Sequence, residues 1–232
     1  MKFSVDSRIF TNVKGLHIGV LVLDGIDNAV DVSDFVKRDY AEVSAAIRHK
    51  FEGVELAEYP VIRGWRDIYK GFGEKKARSS IESMIRRIVN GKDLYNINPL
   101  VDIYNLASLR HELPCGGEDI DAIPGDMELT YSDGSEKFIP LGETEEDNPN
   151  PGEIIYKSGP IAVCRNFNYR ENDITKLSAA TKRALIFFED VSGDMANLNS
   201  AVDWIAAKAT ELLGATISAK AIIDEINPSV AW

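Results

Sequence analysis

Helical spacing dominates the first hundred residues of this chain, hairpin patterns fill the middle, and helical spacing returns near the end. Residues 33–51 carry Phe35, Val36, Tyr40, Val43, Ala46 and Ile47 at helical steps, with Ser33 as a cap and Gly53 just beyond. Residues 60–73 place Val61, Ile62, Trp65, Ile68 and Tyr69 on one apolar stripe. Residues 79–90 open with Ser79 and Glu82 as a capping box and stop at Gly91. Asn98-Pro99 starts a helix running to about Arg110, because Asn accepts the orphan backbone N–H groups and Pro suits the first helical position. Asn98, Asp102 and Asn105 fall on one side of it. Residues 197–213 form a last helix, striped by Leu198, Val202, Ile205, Ala209 and Leu212.

The strand signals are shorter. Residues 16–23 (LHIGVLVL) read as a buried strand ended by Asp24-Gly25. Residues 2–9 alternate weakly, as an edge strand would. Residues 115–119 (CGGED) read as a turn-rich loop. Residues 127–131 and 137–140 predict a hairpin across Ser132-Asp133-Gly134-Ser135, and 153–157 with 161–165 a second across Ser158-Gly159. Residues 183–191 are an apolar strand or helix, and 219–223 a last strand. The order predicts an α+β fold: a single domain, 1–232, with a central mostly antiparallel sheet flanked by helices. Within it lie a mainly helical part (1–96), a middle core (97–191) and a C-terminal helix and strand (192–232).

With 232 residues, 44% of them hydrophobic, the chain can bury a sizeable core. Its longest apolar runs are far shorter than the roughly 20 residues of a membrane span. The opening MKFSVDSRIF shows no secretory signal, and the two cysteines, Cys115 and Cys164, read as reduced thiols of a cytoplasmic protein. Net charge is -11 but unevenly spread. Residues 60–92 hold nine Lys and Arg against three acids, and residues 118–153 hold twelve acids against one Lys. The basic stretch is either a solvated helical face or a local face that holds phosphates.

Several chemistries are missing. There is no Walker-type phosphate loop, no GxGxxG after a strand and no GxSxG elbow. His17, His49 and His111 lack ligand spacing, so neither a metal nor a cofactor is expected. A Cys-His nucleophile built from Cys115 or Cys164 with His111 is not demanded by spacing. The stretch Cys164-Arg165-Asn166-Phe167-Asn168-Tyr169-Arg170 stands out. Two guanidiniums, two amides and two aromatics suit a partner with phosphates or carboxylates and flat rings. The same residues also suit an edge-strand end with surface ion pairs to the acidic loop at 143–147.

Taken in order, NPLVDIYN (98–105), LPCGGED (113–119), Gly125-Asp126, Pro151-Gly152-Glu153 and CRNFNYR (164–170) resemble the B-3/B-4 domain of the phenylalanyl-tRNA synthetase beta subunit in its free-standing form. That domain edits: it hydrolyses tRNA carrying the wrong amino acid. The resemblance implies a tRNA-binding protein that hydrolyses the ester of a mischarged aminoacyl-tRNA, with a non-cognate or non-protein amino acid. It does not imply a ligase. The partner implied is the aminoacylated 3′ end of tRNA, with no membrane; oligomeric state is left open. Glu153, Asp119 and Asn168 are the expected catalytic residues, with a carboxylate on the ammonium group and a held water. Asn98, Asp102, Asn105, Gly116, Gly117, Arg165, Asn166 and Arg170 are the expected substrate contacts. Arg63, Arg66, Lys70, Lys75, Lys76, Arg78, Arg86 and Arg87 would dock the RNA. A non-catalytic RNA-binding module and a small-molecule (amino-acid) binding protein are the other two readings.

Overall fold

The computed structural model describes residues 1–94 and 96–232. Strands assemble into two sheets. The larger runs β10 (Ser229–Ala231), β1 (Lys2–Val5), β4 (Met127–Tyr131), β5 (Ile154–Ser158), β6 (Ile161–Arg165), β7 (Arg170–Glu171). The smaller runs β3 (Cys115–Asp119), β8 (Arg183–Asp190), β2 (His17–Asp24), β9 (Thr216–Ile223). Strands pair antiparallel except β1 with β4. Among the described residues six α-helices accompany them: α1 (Ser7–Asn12), α2 (Ser33–Lys50), α3 (Pro60–Gly71), α4 (Ser80–Val89), α5 (Pro99–His111) and α6 (Met195–Leu213). The class is α+β, as the order of periodicities predicts.

The two sheets share one apolar core. Phe3, Leu129, Tyr156 and Val163 of the larger meet Ile18, Val20, Leu185 and Phe187 of the smaller. Tyr156 and Phe187 stack at 5.2 Å between ring centroids. Alternation sends the other residues of β2 and β8, among them Leu21, Leu23, Ile186 and Phe188, to the opposite face, where α5 and α6 cover them. This is why LHIGVLVL is apolar without a break: both faces of β2 are buried. A separate cluster joins α2, α3, α4 and α5 through Val43, Ile47, Ile62, Ile81, Ile85 and Leu109. No helix among the described residues is long and apolar enough to cross a membrane.

Several local expectations change. CGGED is strand β3, not a loop, because its backbone pairs with β8 from Cys115–Phe188 to Asp119–Ala184. Residues 2–5 are not an edge strand: β1 lies between β10 and β4. The partner of β4 is β5, not residues 137–140. The Ser132 hydroxyl donates to the buried Glu136 carboxylate at 2.6 Å, tying down the turn, and the chain then leaves this edge. Lys137 and Pro140 bridge instead to Ile161 and Asn172. The hairpin of β5 and β6 across Ser158-Gly159 forms as expected.

Candidate functional site

The β6–β7 hairpin positions the site. Register pairs Cys164 with Glu171 and Arg165 with Arg170. Each pair shares a face, so Cys164 and Glu171 turn inward toward β3 while both arginines turn outward. On the facing sheet, the Gly116–Phe187 and Glu118–Leu185 pairs look into the same space, as does Glu189 two residues beyond Phe187. A Cβ on Gly116 would stand 3.9 Å from the Glu171 carboxylate. One end of an otherwise apolar intersheet core therefore holds Glu118, Glu171 and Glu189.

A pocket of about 320 Å³ opens onto this end. Asn168, Tyr169, Arg170 and Glu171 form one side, Arg78, Ser80 and Ser83 of the α4 region another, and Pro140, Leu141 and Glu143 a third. Glu171 has no hydrogen bond or ion pair to its carboxylate among the described residues, and burial pushes its pKa up. Burial also drives Glu118 well above the usual carboxylate range, and the nearby Glu171 charge adds to it. The Cys164 thiol lies 3.6 Å from Glu118 Oε1. Burial raises Glu189 from the usual 4.5 to about 7, although hydrogen bonds from Tyr156 and Asn168 pull the other way.

Asn168 is held at both ends of its amide. Its Nδ2 donates to Glu189 Oε2, and its Oδ1 accepts from the Tyr69 hydroxyl. Tyr156 donates to the other Glu189 oxygen. An amide fixed in this way keeps one N–H for the pocket.

The rim is basic. Glu82, buried on α4, takes Arg66 at 2.6 Å, Arg78 at 3.2 Å and Arg86 at 3.1 Å. Burial alone would raise its pKa, but the bonds from Arg66 and Arg86 outweigh burial and hold it below the usual range. Ser79 caps α4 as expected, accepting the Glu82 N–H, yet the Glu82 carboxylate goes to the three arginines rather than back to the cap. Three guanidiniums on one carboxylate leave two positive charges in excess.

The expected site residues separate into groups. Asn168, Arg170 and Arg78 line the pocket. Gly116 lies at its inner end, but Gly117 does not: a Cβ there would sit 2.5 Å from Ile186 and 3.3 Å from Tyr104, so this glycine lets α5 close on β3. Asn98 is a helix cap in a closed network, accepting from Val101 N–H at 3.1 Å and from the Asn28 amide at 3.0 Å. Asp102 accepts the Ile97 N–H at 3.0 Å, and Asn105 is half-buried on α5; none of these three lines the pocket. Asp119 caps the short 3₁₀ turn at Ile120–Ala122 and accepts from Thr181 at 2.7 Å. Glu153 forms a two-point pair with Arg165, both contacts 2.8 Å, which takes both out of the pocket. Arg165 also meets Asp147 at 2.9 Å, so the pairing with the acidic loop holds for this residue. Arg170 pairs with Asp147 as well but stays at the rim. Asn166 and Glu153 line a second, smaller cleft. Arg63 faces Glu58 at 3.8 Å, while Lys70, Lys75 and Lys76 are exposed and line neither recess. Arg86 and Arg87 flank a shallow basic depression next to the pocket, which shares Ser83 with it.

Sequence reasoning missed Glu171, Glu189 and the phenols of Tyr69 and Tyr156. One signal was present: Glu189 interrupts an apolar strand, where a carboxylate needs a reason. Burial drives both thiols far from thiolate formation, and His111 faces Asn197 at 2.9 Å, so no Cys-His nucleophile exists here. No group of three or more His, Cys, Asp or Glu among the described residues is arranged to hold a metal ion.

An N-terminal fragment of the phenylalanyl-tRNA synthetase beta-subunit from Pyrococcus horikoshii is a similar solved structure, at 12% identity and a TM-score of 0.48. The match covers 96% of this chain and 54% of that one, so the chain spans about half its length. No curated protein matches. The B3/4 domain model matches residues 64–201, a span that contains every residue lining the pocket. With more than half of its residues matched, the chain belongs to the B3/4 domain family.

Proposed function

We propose that this protein binds the aminoacylated 3′ end of a transfer RNA and hydrolyses the ester that joins the amino acid to it. The observation that carries the reading is Glu171, a half-buried carboxylate with no hydrogen bond or ion pair among the described residues, at the floor of a pocket that Arg78 and Arg170 line. Such a site takes a ligand with a polar or cationic inner end and an anionic outer end. An aminoacyl ester on RNA has that polarity. The Arg66, Arg78 and Arg86 group, with Arg87 beside it, takes phosphates, and Arg170 takes the terminal ribose or phosphate.

The chemistry needs little beyond position, since the ester is already activated. Glu171 accepts a proton from a water held between it and Asn168. That water attacks the ester carbonyl, and the free Asn168 N–H donates to the oxygen as charge develops there. The C–O bond to the ribose breaks, and the ribose oxygen takes the proton. Tyr69 and Glu189 are positioning residues that hold the Asn168 amide. Glu153 and Asp119 have no part in this scheme, because their carboxylates are committed to Arg165 and Thr181.

A panel of mischarged tRNAs tests it. The expected result is faster release of one or a few amino acids than in buffer, with Glu171→Gln lowering that rate by roughly 10²- to 10⁴-fold without lowering the thermal midpoint. Retained tRNA binding without release on any member would leave the RNA-binding reading. Retained amino-acid binding without tRNA binding would leave the small-molecule reading.

A further inference from the structure

We infer that the second cleft, about 240 Å³ between Phe72 and Asn166, is an adenine-binding subsite. The inference rests on the reading above, in which the ester in the pocket belongs to a terminal adenosine. It names where that base goes.

The backbone gives the first reason. Asn166 and Phe167 are consecutive non-glycine residues in the left-handed region, at φ 50° and 66°. Asn visits this region readily, but for Phe167 it is unfavourable and persists only because the surroundings impose it. The surroundings here are explicit. Phe167 is 1% exposed, edge-on to Trp65 at 5.4 Å and to Tyr156 at 6.2 Å, and its N–H donates to the Ile154 carbonyl at 2.8 Å. The Asn166 N–H donates to Glu153 Oε1 at 3.1 Å. The result breaks strand alternation: Asn166 lines the cleft, Phe167 enters the core, and Asn168 lines the pocket.

The lining gives the second. Phe72 offers a half-buried ring on which a base can stack. The side-chain amides of Asn166 and Asn150 have no hydrogen-bond partner among the described residues, although both backbone N–H groups are tied to Glu153. A free amide can serve N6 and N7 of adenine together. Glu74, half-buried and without an ion pair among the described residues, can accept from an exocyclic amine and has nothing to accept from on uracil O4. The volume is below the roughly 300 Å³ at which pockets for larger ligands begin, and suits one ring system.

Continuity gives the third. Tyr69 lines the cleft, and its hydroxyl bonds Asn168, which lines the pocket. One hydrogen bond therefore links a residue of each recess, and a single terminal nucleotide set across it would place its base in one and its ester carbon in the other.

The test is titration of the full chain with AMP, GMP and UMP, followed by amide chemical shifts, and needs no turnover. AMP is expected to bind at least tenfold tighter than UMP and to shift the Asn166 and Asn150 side-chain amides. Phe72→Ala and Asn166→Gly are each expected to weaken AMP roughly tenfold. Asn166→Gly removes the amide and also suits the left-handed backbone, so it preserves the fold. Equal affinity for AMP and UMP, preference for GMP, or unchanged AMP affinity in Asn166→Gly would each overturn the subsite. Preferential AMP binding lost in Asn166→Gly, in a protein that releases no amino acid, would support the subsite and defeat the hydrolytic reading. Release with a KM unaltered by Asn166→Gly would do the reverse. Comparison of AMP with an uncharged RNA ending in adenosine separates a free nucleotide from an RNA end. Both should compete for the cleft, the RNA more tightly.

Discussion

On α4, the single carboxylate of Glu82 collects Arg66, Arg78 and Arg86. At the end of the intersheet core, the three carboxyl groups of Glu118, Glu171 and Glu189 collect no cation among the described residues. Both sets are buried or partly so, and their proton affinities move in opposite directions. Glu82 is held low by its arginines once burial is outweighed, whereas the other three are pushed up by burial. On the proposed reading, the carboxylate of Glu82 orients guanidiniums toward a ligand's outer end, and the acid left without a counter-charge meets its inner end. Residues lining the pocket come from both regions, which gives it a basic rim and an acidic floor.

The contrast fixes the sign of the pH dependence. Folded Glu189 keeps its proton up to about pH 7, whereas a carboxyl of the unfolded chain releases it near the usual 4.5. Between those values the unfolded state binds fewer protons, so stability falls as pH rises through that window. The drop from Glu189 alone is on the order of 3 kcal/mol. Glu118 and Glu171 shift in the same direction and add to it. Glu189→Gln should therefore flatten, not abolish, the decline in urea midpoint between pH 5 and 8. An identical decline in the variant would show that Glu189 is ionised throughout and that the contrast with Glu82 is false. Glu82 has the opposite sign: its contribution is present above the unfolded value and disappears as pH falls through its lowered folded value.

Glu82→Gln should cost about 2 kcal/mol at pH 7, read from chemical unfolding. That is below the roughly 3–5 kcal/mol of a fully buried pair, because the three guanidiniums keep contact with water. The side chains of Arg66, Arg78 and Arg86 are 31%, 52% and 41% exposed against 1% for Glu82. High salt should narrow the difference, since counterions then screen the exposed arginines. A variant as stable as the parent at low salt would mean that the cluster contributes nothing, and its arginines would then be ordinary surface groups.

The helices were legible because their apolar stripes are long and their stops are specific: Ser79 and Asn98 cap, and Gly91 turns left-handed at φ 70°. The pairing of β4 was not legible, because the choice between residues 137–140 and β5 depends on a long-range partner. CGGED looked like a turn because two glycines usually mean one. Here Gly117 instead makes room for Tyr104, and Gly116 leaves space before Glu171. The site was half legible. CRNFNYR held Asn168 and Arg170, but alternation could not foresee two left-handed residues at its centre. Glu153 and Arg165 each look functional alone and turn out to satisfy each other. Glu171 drew no attention, since its lack of a partner is a property of the fold.

The acidic loop is the smallest test of the same contrast. Glu143 lines the pocket 3.9 Å from Arg170, and Asp147 pairs with the same guanidinium. If the proposed reading holds, an RNA phosphate at the rim competes with both loop carboxylates for Arg170. Exposed pairs of this kind are weak, so the competition is modest. The double variant Glu143→Gln, Asp147→Asn should bind tRNA a few-fold more tightly at low salt, and the gain should vanish when Arg170→Ala is added. It should also fade as ionic strength rises, because screening weakens the repulsion that the loop adds. Unchanged low-salt affinity in the double variant would place the phosphates away from Arg170, on the Glu82 arginines alone. The rim would then be set by α4 without the hairpin.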